Sequence, residues 1–446
     1  MSTRAPIDPG GRVPHTTRTR VVGACVASLV VITVAAVAGH HSSPSAHAGS
    51  GGGGGSGSSA LFPPVPAVTL TGAARTVVPG ALPRMPWPVK GEAAVGVQGS
   101  GIVAASRRQA SVPIASVTKV MTAYLVLRDH PLTGQAGGPV FRMTHADALA
   151  FQRDAAAGYS NLMVVAGEAI DERQLLEALL IPSADNIADF LARWDAGSIG
   201  AFVTRMNAAA KSLGMTSTHY ADASGLDPKT RSNATDQVRL AAAAMANPVF
   251  AEIVDHTTVV LPVSGKVWNY NPLVGVDGVV GVKSGFTNAA NACLVAAAWR
   301  EVGARRVLVI MVALGQPLGL YQAADVDRAL LDKLTPVLRL RDVVSAGRSV
   351  AQAKVPWTHR PTPATASGAA TLVVWPGAVI GATVQAVHGS PWVAAGSSSG
   401  SAWVVPASTR LGDLVVSMDG TRLASLPLRL EAPIEGPPAG WSAGSG

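Results

Sequence analysis

The stretch from Ala93 to Ala313 begins and ends in strand patterns and carries its helical patterns between them. Ala93–Gln98 and Ile102–Ala105, with Gly99 and Gly101 between, read as a β-hairpin. Gly278–Lys283, Ala292–Trp299 and Arg306–Ala313 read as closing strands. In the middle, Val117, Val120, Met121, Tyr124, Leu125 and Leu127 make the apolar face of a helix that starts near Ser116. Leu175, Leu176, Leu179 and Leu180 mark a second helix, stopped by Pro182. Ser183 can cap a third, in which Ile187, Phe190, Leu191 and Trp194 fall at i, i+3, i+4 and i+7. Phe202–Leu213 and Thr235–Ala246 are two more. Strands from both ends with helices between predict an α+β unit: one antiparallel sheet with a helical layer.

Beyond a helix around Ala323–Leu338 the texture changes. Val355–Pro433 is punctuated by Pro, Gly and Ser, with short β-type runs such as Ala370–Trp375 and Leu414–Met418, and reads as a small β-sandwich. Before the α+β unit, Gly49–Ser59 is a flexible Gly/Ser coil, and 60–85 is rich in Pro, Val and Ala and reads as extended. The expected organisation is a cytoplasmic tail 1–20, a membrane segment 21–39, a flexible linker 40–85, the α+β unit 86–345, a β-rich domain 350–435 and a tail 436–446. There is no internal repeat.

Val21–Ala38 is uncharged and apolar, and Arg4, Arg12, Arg18 and Arg20 precede it. At about 1.5 Å per residue it nearly crosses the hydrocarbon core, and the positive flank predicts a cytoplasmic N-terminus with everything after it exported. Ala46-His47-Ala48 offers an alternative, cleavage and secretion near Ala48. The run is long for a signal segment and the site lies well downstream of it, so the uncleaved anchor is preferred. Lipidation at Cys25 fails, because the apolar segment follows that residue. Cys25 and Cys293 are the two cysteines; one is in the membrane segment and the other in the folded part, so no intrachain disulfide is expected. Cys293 reads as a small buried hydrophobe.

Of the 446 residues, 48% are hydrophobic and 14% charged, enough for a sizeable core. The net charge of +8 is scattered outside the N-terminal tail, with no aromatic-interleaved stripe, which argues against a nucleic-acid partner. His40, His41 and His47 have no metal-ligand spacing, and no HExxH or cysteine cluster exists, so neither metal nor other cofactor is expected.

Three short motifs carry chemistry. Ser116-Val117-Thr118-Lys119 puts a hydroxyl and an amine three residues apart at a helix start, on one face, with free backbone N–H groups nearby. Nucleophile, base and oxyanion donor are the minimum kit for acyl transfer. Ser183-Ala184-Asp185-Asn186 sits at the junction of two helices, and Lys283-Ser284-Gly285 ends a strand just before Phe286-Thr287. Each alone has a plainer reading: a capped helix for Ser116 and Lys119, a cap after Pro182 for Ser183, a first-turn acid on the helix dipole for Asp185, a strand-end charge for Lys283. Together and in this order they form the trio of penicillin-binding proteins and β-lactamases.

From about Ala93 to Leu314 the chain resembles the serine-type D-alanyl-D-alanine carboxypeptidases, the low-molecular-mass penicillin-binding proteins. The resemblance is carried by PIASVTKVMTA, LLEALLIPSADNIA, ADASGLDP and GVKSGFT. It implies a β-lactamase/transpeptidase-like domain, with a β-rich C-terminal domain and a membrane anchor as common additions. Here the anchor would be N-terminal, and the tail Gly436–Gly446 has no amphipathic helical pattern. The implied substrate is the peptidoglycan stem pentapeptide ending in D-Ala-D-Ala, with β-lactams as covalent inhibitors. Ser116 would be the nucleophile and Lys119 its base, which needs other cations nearby. Ser183 would relay the proton to the leaving D-Ala. Lys283 and Ser284 would hold the terminal carboxylate. The backbone N–H groups of Ser116 and Phe286 would form the oxyanion hole.

The sequence departs from the family at two places. Asp185 stands where Asn is usual; an ionised Asp accepts but cannot donate, and beside Lys119 it would steady the ammonium and blunt the base. Asn186 is roughly 100° further round the helix and cannot take its place. Ser284 in place of Thr keeps the hydroxyl. Tyr159-Ser160-Asn161 imitates a related motif but precedes a strand-like stretch, Leu162–Val165, and reads as a decoy. Two alternatives remain. A serine β-lactamase would need a deacylating Glu, and between Ser183 and Lys283 the one Glu is Glu252. A non-catalytic peptidoglycan-binding scaffold would follow if Asp185 abolished turnover.

Overall fold

The computed structural model describes residues 68–387, 390–395, 401–438 and 440–441. Val21–Ala38 and the tripeptide Ala46-His47-Ala48 lie outside the described residues, and among those described no helix is long and apolar enough to cross a membrane.

The α+β unit is built on a five-stranded antiparallel sheet in the order Val279–Thr287, Asn291–Val302, Arg305–Gln316, Glu92–Val97, Gly101–Ala105. The first hairpin of the unit closes against its last strand, with Val97 opposite Val309 and Glu92 opposite Leu314. Side chains alternate across a strand, and here both faces are buried. Cys293, Val295 and Ala297 enter one core with the helical layer. Ala292, Leu294, Ala296 and Ala298 enter a second with the helix Leu320–Leu334 and the C-terminal strands. The expected single helical layer is therefore half of the arrangement. The near-continuous apolar runs of these strands fit a sheet covered twice.

The helix Lys119–Asp129 runs through the middle of the helical layer. It packs against Glu172–Leu180, Asp185–Ala196, Ile199–Ser212, Ala234–Ala244 and Pro248–Asp255. Glu92 ties sheet to helices: its buried carboxyl accepts the Ala234 N–H at 2.8 Å and the Ala110 N–H at 2.7 Å.

The C-terminal β domain differs from a two-sheet sandwich. Its main sheet has the order Thr69–Thr71, Ser349–Lys354, Thr362–Ala366, Thr421–Leu430, Arg410–Met418, Val379–Ala386, Ala73–Val77. The two outermost members are consecutive in sequence, separated by Gly72 alone. One bent segment thus joins both edges of the sheet, with Thr69 opposite Lys354 and Val77 opposite Val379. Closure of this kind removes edges that would otherwise pair with other chains. Gly72 is needed at the bend, where a Cβ would stand 2.8 Å from the Val350 carbonyl oxygen. Residues 69–77, inside the stretch expected to be a flexible linker, are therefore part of the folded β domain.

Candidate active site

Ala115–Thr118 forms a 3-10 turn that runs into the helix Lys119–Asp129. Residues three apart eclipse in such a turn, so Ser116 and Lys119 meet. Lys119 Nζ donates to Ser116 Oγ at 2.7 Å. The turn is entered through Ala115 at φ +47°, a left-handed conformation that costs a non-Gly residue about 1–2 kcal/mol. Ser116 is half-buried, whereas Lys119 has no exposed surface.

Lys119 Nζ also donates to Asp185 Oδ1 at 2.6 Å and to the Ser224 carbonyl oxygen at 3.2 Å. Three acceptors match the three donors of an ammonium. They come from three separate pieces of chain: the turn, the first residue of the helix Asp185–Ala196, and a loop after Ala223. Burial raises the Asp185 carboxyl above its ordinary range, opposed by the Lys119 charge and the hydrogen bond from it.

Ser183 is buried at φ +66°, with its hydroxyl lacking a hydrogen-bond partner. It does not cap the following helix. Ala184 holds the N-cap position and makes no side-chain cap bond. Asn186 faces away from the Lys119 ammonium, as its position round the helix requires: its amide accepts the Leu162 N–H at 3.0 Å and donates to the Leu162 carbonyl at 2.9 Å. Tyr159-Ser160-Asn161 makes a contact that the sequence reading did not foresee. The Ser160 carbonyl accepts the Asp185 N–H at 2.8 Å, so this stretch braces the second motif. Leu162–Val165 is a loop, not a strand.

The strand Val279–Thr287 lies directly against the Ser116 turn. A Cβ at Gly285 would stand 2.7 Å from the Ser116 backbone nitrogen, so a residue without one is required there. Lys283 is fully buried and donates to the Ser284 carbonyl at 3.1 Å. Burial pushes its amine well below the ordinary lysine range; the Lys119 charge adds to this and Asp185 opposes it. Ser284 is buried, and Phe286 is exposed at the rim.

A supporting loop lies in ADASGLDP, which carried the resemblance in the sequence but whose residues were given no role there. Asp222 Oδ2 accepts from Ser224 Oγ at 3.0 Å and from the N–H groups of Gly225, Leu226 and Asp227 at 2.8, 2.8 and 3.2 Å. Its other oxygen accepts from the Thr230 hydroxyl. The loop is docked by Thr122 Oγ1 donating to the Ala223 carbonyl at 2.7 Å. Gly225, at φ +89°, passes against Ala115 where a Cβ would collide with the Ala115 carbonyl. The signal was present in ADASGLDP, an Asp and a Gly in a turn-type cluster. Glu252 is engaged elsewhere, with Gln135 at 2.6 Å and Arg173 at 3.6 Å.

Residues 89–316 match the family described as D-alanyl-D-alanine carboxypeptidase. The chain is 35% identical over 221 residues to D-alanyl-D-alanine carboxypeptidase DacB2 of Mycobacterium tuberculosis, covering 48% of this chain and 71% of that protein. It is 34% identical over 215 residues to a D-alanyl-D-alanine endopeptidase of Pseudomonas aeruginosa, covering 46% of this chain and 66% of the other. The fold is similar to that of penicillin binding protein 5 from Haemophilus influenzae, with a TM-score of 0.58 and 19% identity, over 79% of this chain and 98% of that one.

Proposed function

The chain belongs to the serine-type D-alanyl-D-alanine carboxypeptidase family, and from that premise we propose that it removes the terminal D-Ala from peptidoglycan stem peptides through an acyl-enzyme on Ser116. The observation that carries the reading is the 2.7 Å hydrogen bond between Lys119 Nζ and Ser116 Oγ, made beside a strand that presents Lys283, Ser284 and Gly285. Ser116 Oγ attacks the carbonyl carbon of the penultimate D-Ala as its proton passes to Lys119 Nζ, which acts as base once it has given up one of its own protons. The backbone N–H groups of Ser116 and Phe286 receive the developing oxyanion. The C–N bond breaks, and the departing D-Ala amine takes a proton relayed through the Ser183 hydroxyl, which the fold holds buried and free of other bonds. Lys283 and Ser284 hold the substrate's terminal carboxylate. Water then attacks the ester carbon, releasing the shortened peptide and restoring the Ser116 hydroxyl. β-Lactams acylate the same oxygen.

We place the catalytic unit outside the cytoplasmic membrane, on the strength of the apolar run Val21–Ala38 and the arginines before it. A second reading, a peptidoglycan-binding scaffold, is favoured by one observation: Asp185 holds the Lys119 ammonium at 2.6 Å in a buried pair. Incubating the full chain with a labelled penicillin, and separately with a peptide ending in D-Ala-D-Ala, distinguishes them. Covalent labelling of Ser116 with release of free D-Ala is the expected result. Labelling without D-Ala release supports the scaffold, and rapid hydrolysis of the penicillin with no stable adduct indicates a β-lactamase.

A further inference from the structure

In the reaction proposed for Ser116, two groups act on the residue that leaves: Ser183 protonates its amine and Lys283 holds its carboxylate. One short segment is attached beside both. The Tyr270 N–H donates to the Ile181 carbonyl at 3.3 Å, two residues before Ser183. Asn269 Nδ2 donates to the Val254 and His256 carbonyls at 3.3 and 3.0 Å, at the end of the helix Pro248–Asp255. The Val254 side chain in turn packs on the backbone at Gly281, where a Cβ would stand 2.6 Å from it, two residues before Lys283. Two residues of chain span at most about 7 Å. Tyr270 is therefore held at the end of the gap between Ser183 and Lys283, the end occupied by the leaving residue.

The local sequence turns the Tyr270 ring away from the protein body. The in-and-out alternation of the strand Gly265–Trp268 continues through Asn271. Val267 packs on the core of the helical layer, Asn269 reaches back to the helix end, and Asn271 is buried with its Oδ1 accepting the Leu273 N–H at 3.0 Å. Trp268 and Tyr270 point the other way and are 61% and 49% exposed. Asn269 Oδ1 also accepts the Asn271 N–H at 2.9 Å, so the asparagines on both sides of Tyr270 fix its backbone. An aromatic ring has two side-chain torsions, and on pinned backbone it makes a rigid wall.

We propose that Tyr270 is a specificity-determining residue that selects the leaving residue by size. Its ring ends the pocket beyond Ser183 and Lys283. A leaving residue with a compact side chain, such as D-Ala, fits in front of it; one whose side chain is long, or continues into a second peptide, meets the ring and is excluded. The assignment rests on the acyl-enzyme chemistry at Ser116 and adds a choice which that chemistry leaves open. Ser183 and Lys283 act on an amine and the carboxylate beside it, and every α-amino acid offers those two groups whatever its side chain. Bulk is the property that discriminates here, because forcing extra methylenes against well-held groups is destabilising.

Three peptides tested on the full chain, identical up to the penultimate D-Ala, decide it. They end in D-Ala, in D-Leu, and in D-Lys whose side-chain amine carries a second peptide; the released residue is quantified by chromatography. The wild type should favour D-Ala over each of the other two by about tenfold or more in kcat/KM. In Tyr270→Ala the ratio of large to small leaving residue should rise by about tenfold or more. Tyr270→Phe keeps the bulk without the hydroxyl and should retain the wild-type ratio. Trp268→Ala removes the other ring of that face, two residues further from the bond to Ile181, and should retain it too. Thermal melts of the variants report the fold. A wild type that takes D-Leu as readily as D-Ala, an unchanged ratio in Tyr270→Ala, or an equal change in Tyr270→Phe or Trp268→Ala overturns the assignment while the reading at Ser116 stands. If the wild type releases no D-Ala from any peptide, that reading falls and the assignment with it.

Discussion

Lys119 Nζ and Asp185 Oδ1 are 2.6 Å apart and both side chains are shut away from solvent, so the amine beside Ser116 is paired with a carboxylate before any substrate arrives. A base must be neutral to take a proton, and a buried ion pair resists neutralisation. Asp185→Asn keeps an oxygen in place to accept from Lys119 and removes the charge. The expected outcome is a kcat/KM on a D-Ala-D-Ala peptide raised about tenfold, equivalent to about 1.4 kcal/mol in the barrier, with the pH optimum moved downward. The pH–rate profiles of the two proteins measure this. An unchanged or lower rate in the variant means the site is built around the carboxylate.

Ser116→Ala should abolish covalent penicillin labelling while the protein stays folded. Lys119 retains its acceptors on Asp185 and Ser224, so the loss of one hydrogen bond lowers stability by about 1 kcal/mol. Intact-mass spectrometry checks the label and a thermal melt checks the fold. A persisting adduct would move the nucleophile elsewhere.

Gly285→Ala tests the contact between strand and turn. The added methyl would meet the Ser116 nitrogen at 2.7 Å, and rigid backbone stands on both sides. Overpacking of this kind costs about 1–3 kcal/mol, and here it also pushes apart the two elements that face the substrate. Acylation by penicillin should slow by about a hundredfold or more, since misplacement of about 1 Å can cost that much. Stopped-flow acylation rates decide it, and a wild-type rate would show that the strand yields without disturbing Ser116.

Two of the motifs were legible because each sits at a local boundary that the sequence marks, Ser116 at a helix start and Asp185 at another; Lys283 was expected at a strand end, but the strand runs on through Ser284-Gly285-Phe286 to Thr287 and leaves Lys283 at its middle. The sheet was legible because its strands are continuous apolar runs. Less visible were contacts that join distant parts of the chain. Thr71 and Gln352 lie 281 residues apart, and a three-residue strand among prolines carries too little pattern to announce such a partner. The helix His145–Ala156 was missed because it buries no residue completely and is held at its start by a Thr144–Asp147 capping box, leaving no apolar stripe to read. Ser183 misled in another way. A Ser after Pro and before a helix reads as a cap, but its left-handed backbone turns it out of that position.

Asp222 gathers three backbone N–H groups and two hydroxyls around one carboxylate and thereby fixes the loop whose Ser224 carbonyl meets Lys119. Asp222→Ala leaves those donors without their acceptor. At about 1–3 kcal/mol for a buried group left unpaired, the expected loss of stability is about 3–5 kcal/mol, with part of the loop exposed to water. Asp222→Asn retains one acceptor oxygen and should recover part of the stability. In that variant kcat should fall more than KM rises, because the carboxylate acts on Lys119 through the loop and touches no substrate. Thermal melts and steady-state kinetics on the pair of variants check both halves.

Asp327 lies in the apolar stripe of the helix Leu320–Leu334, with Ala323, Leu330 and Leu331, fully buried and with neither carboxyl oxygen hydrogen-bonded. Burial alone pushes its carboxyl well above the ordinary range. In the unfolded chain an Asp gives up its proton near pH 3.9. Below that pH both states hold the proton and the group does not affect stability. As the pH rises the unfolded state releases its proton while the folded state keeps it, so stability falls by about 1.4 kcal/mol per pH unit until the folded carboxyl ionises. Glu172 and Glu177, pushed up to about 7 chiefly by burial, act in the same direction up to that pH. The Asp327 contribution is therefore read as a difference between proteins. Asp327→Asn removes the proton release and keeps the shape. It should raise the melting temperature at neutral and mildly alkaline pH, and change it little near the pH where an unfolded Asp titrates. Thermal melts of wild type and variant across that range measure the difference, and a constant offset at every pH would mean that Asp327 is already ionised in the folded protein.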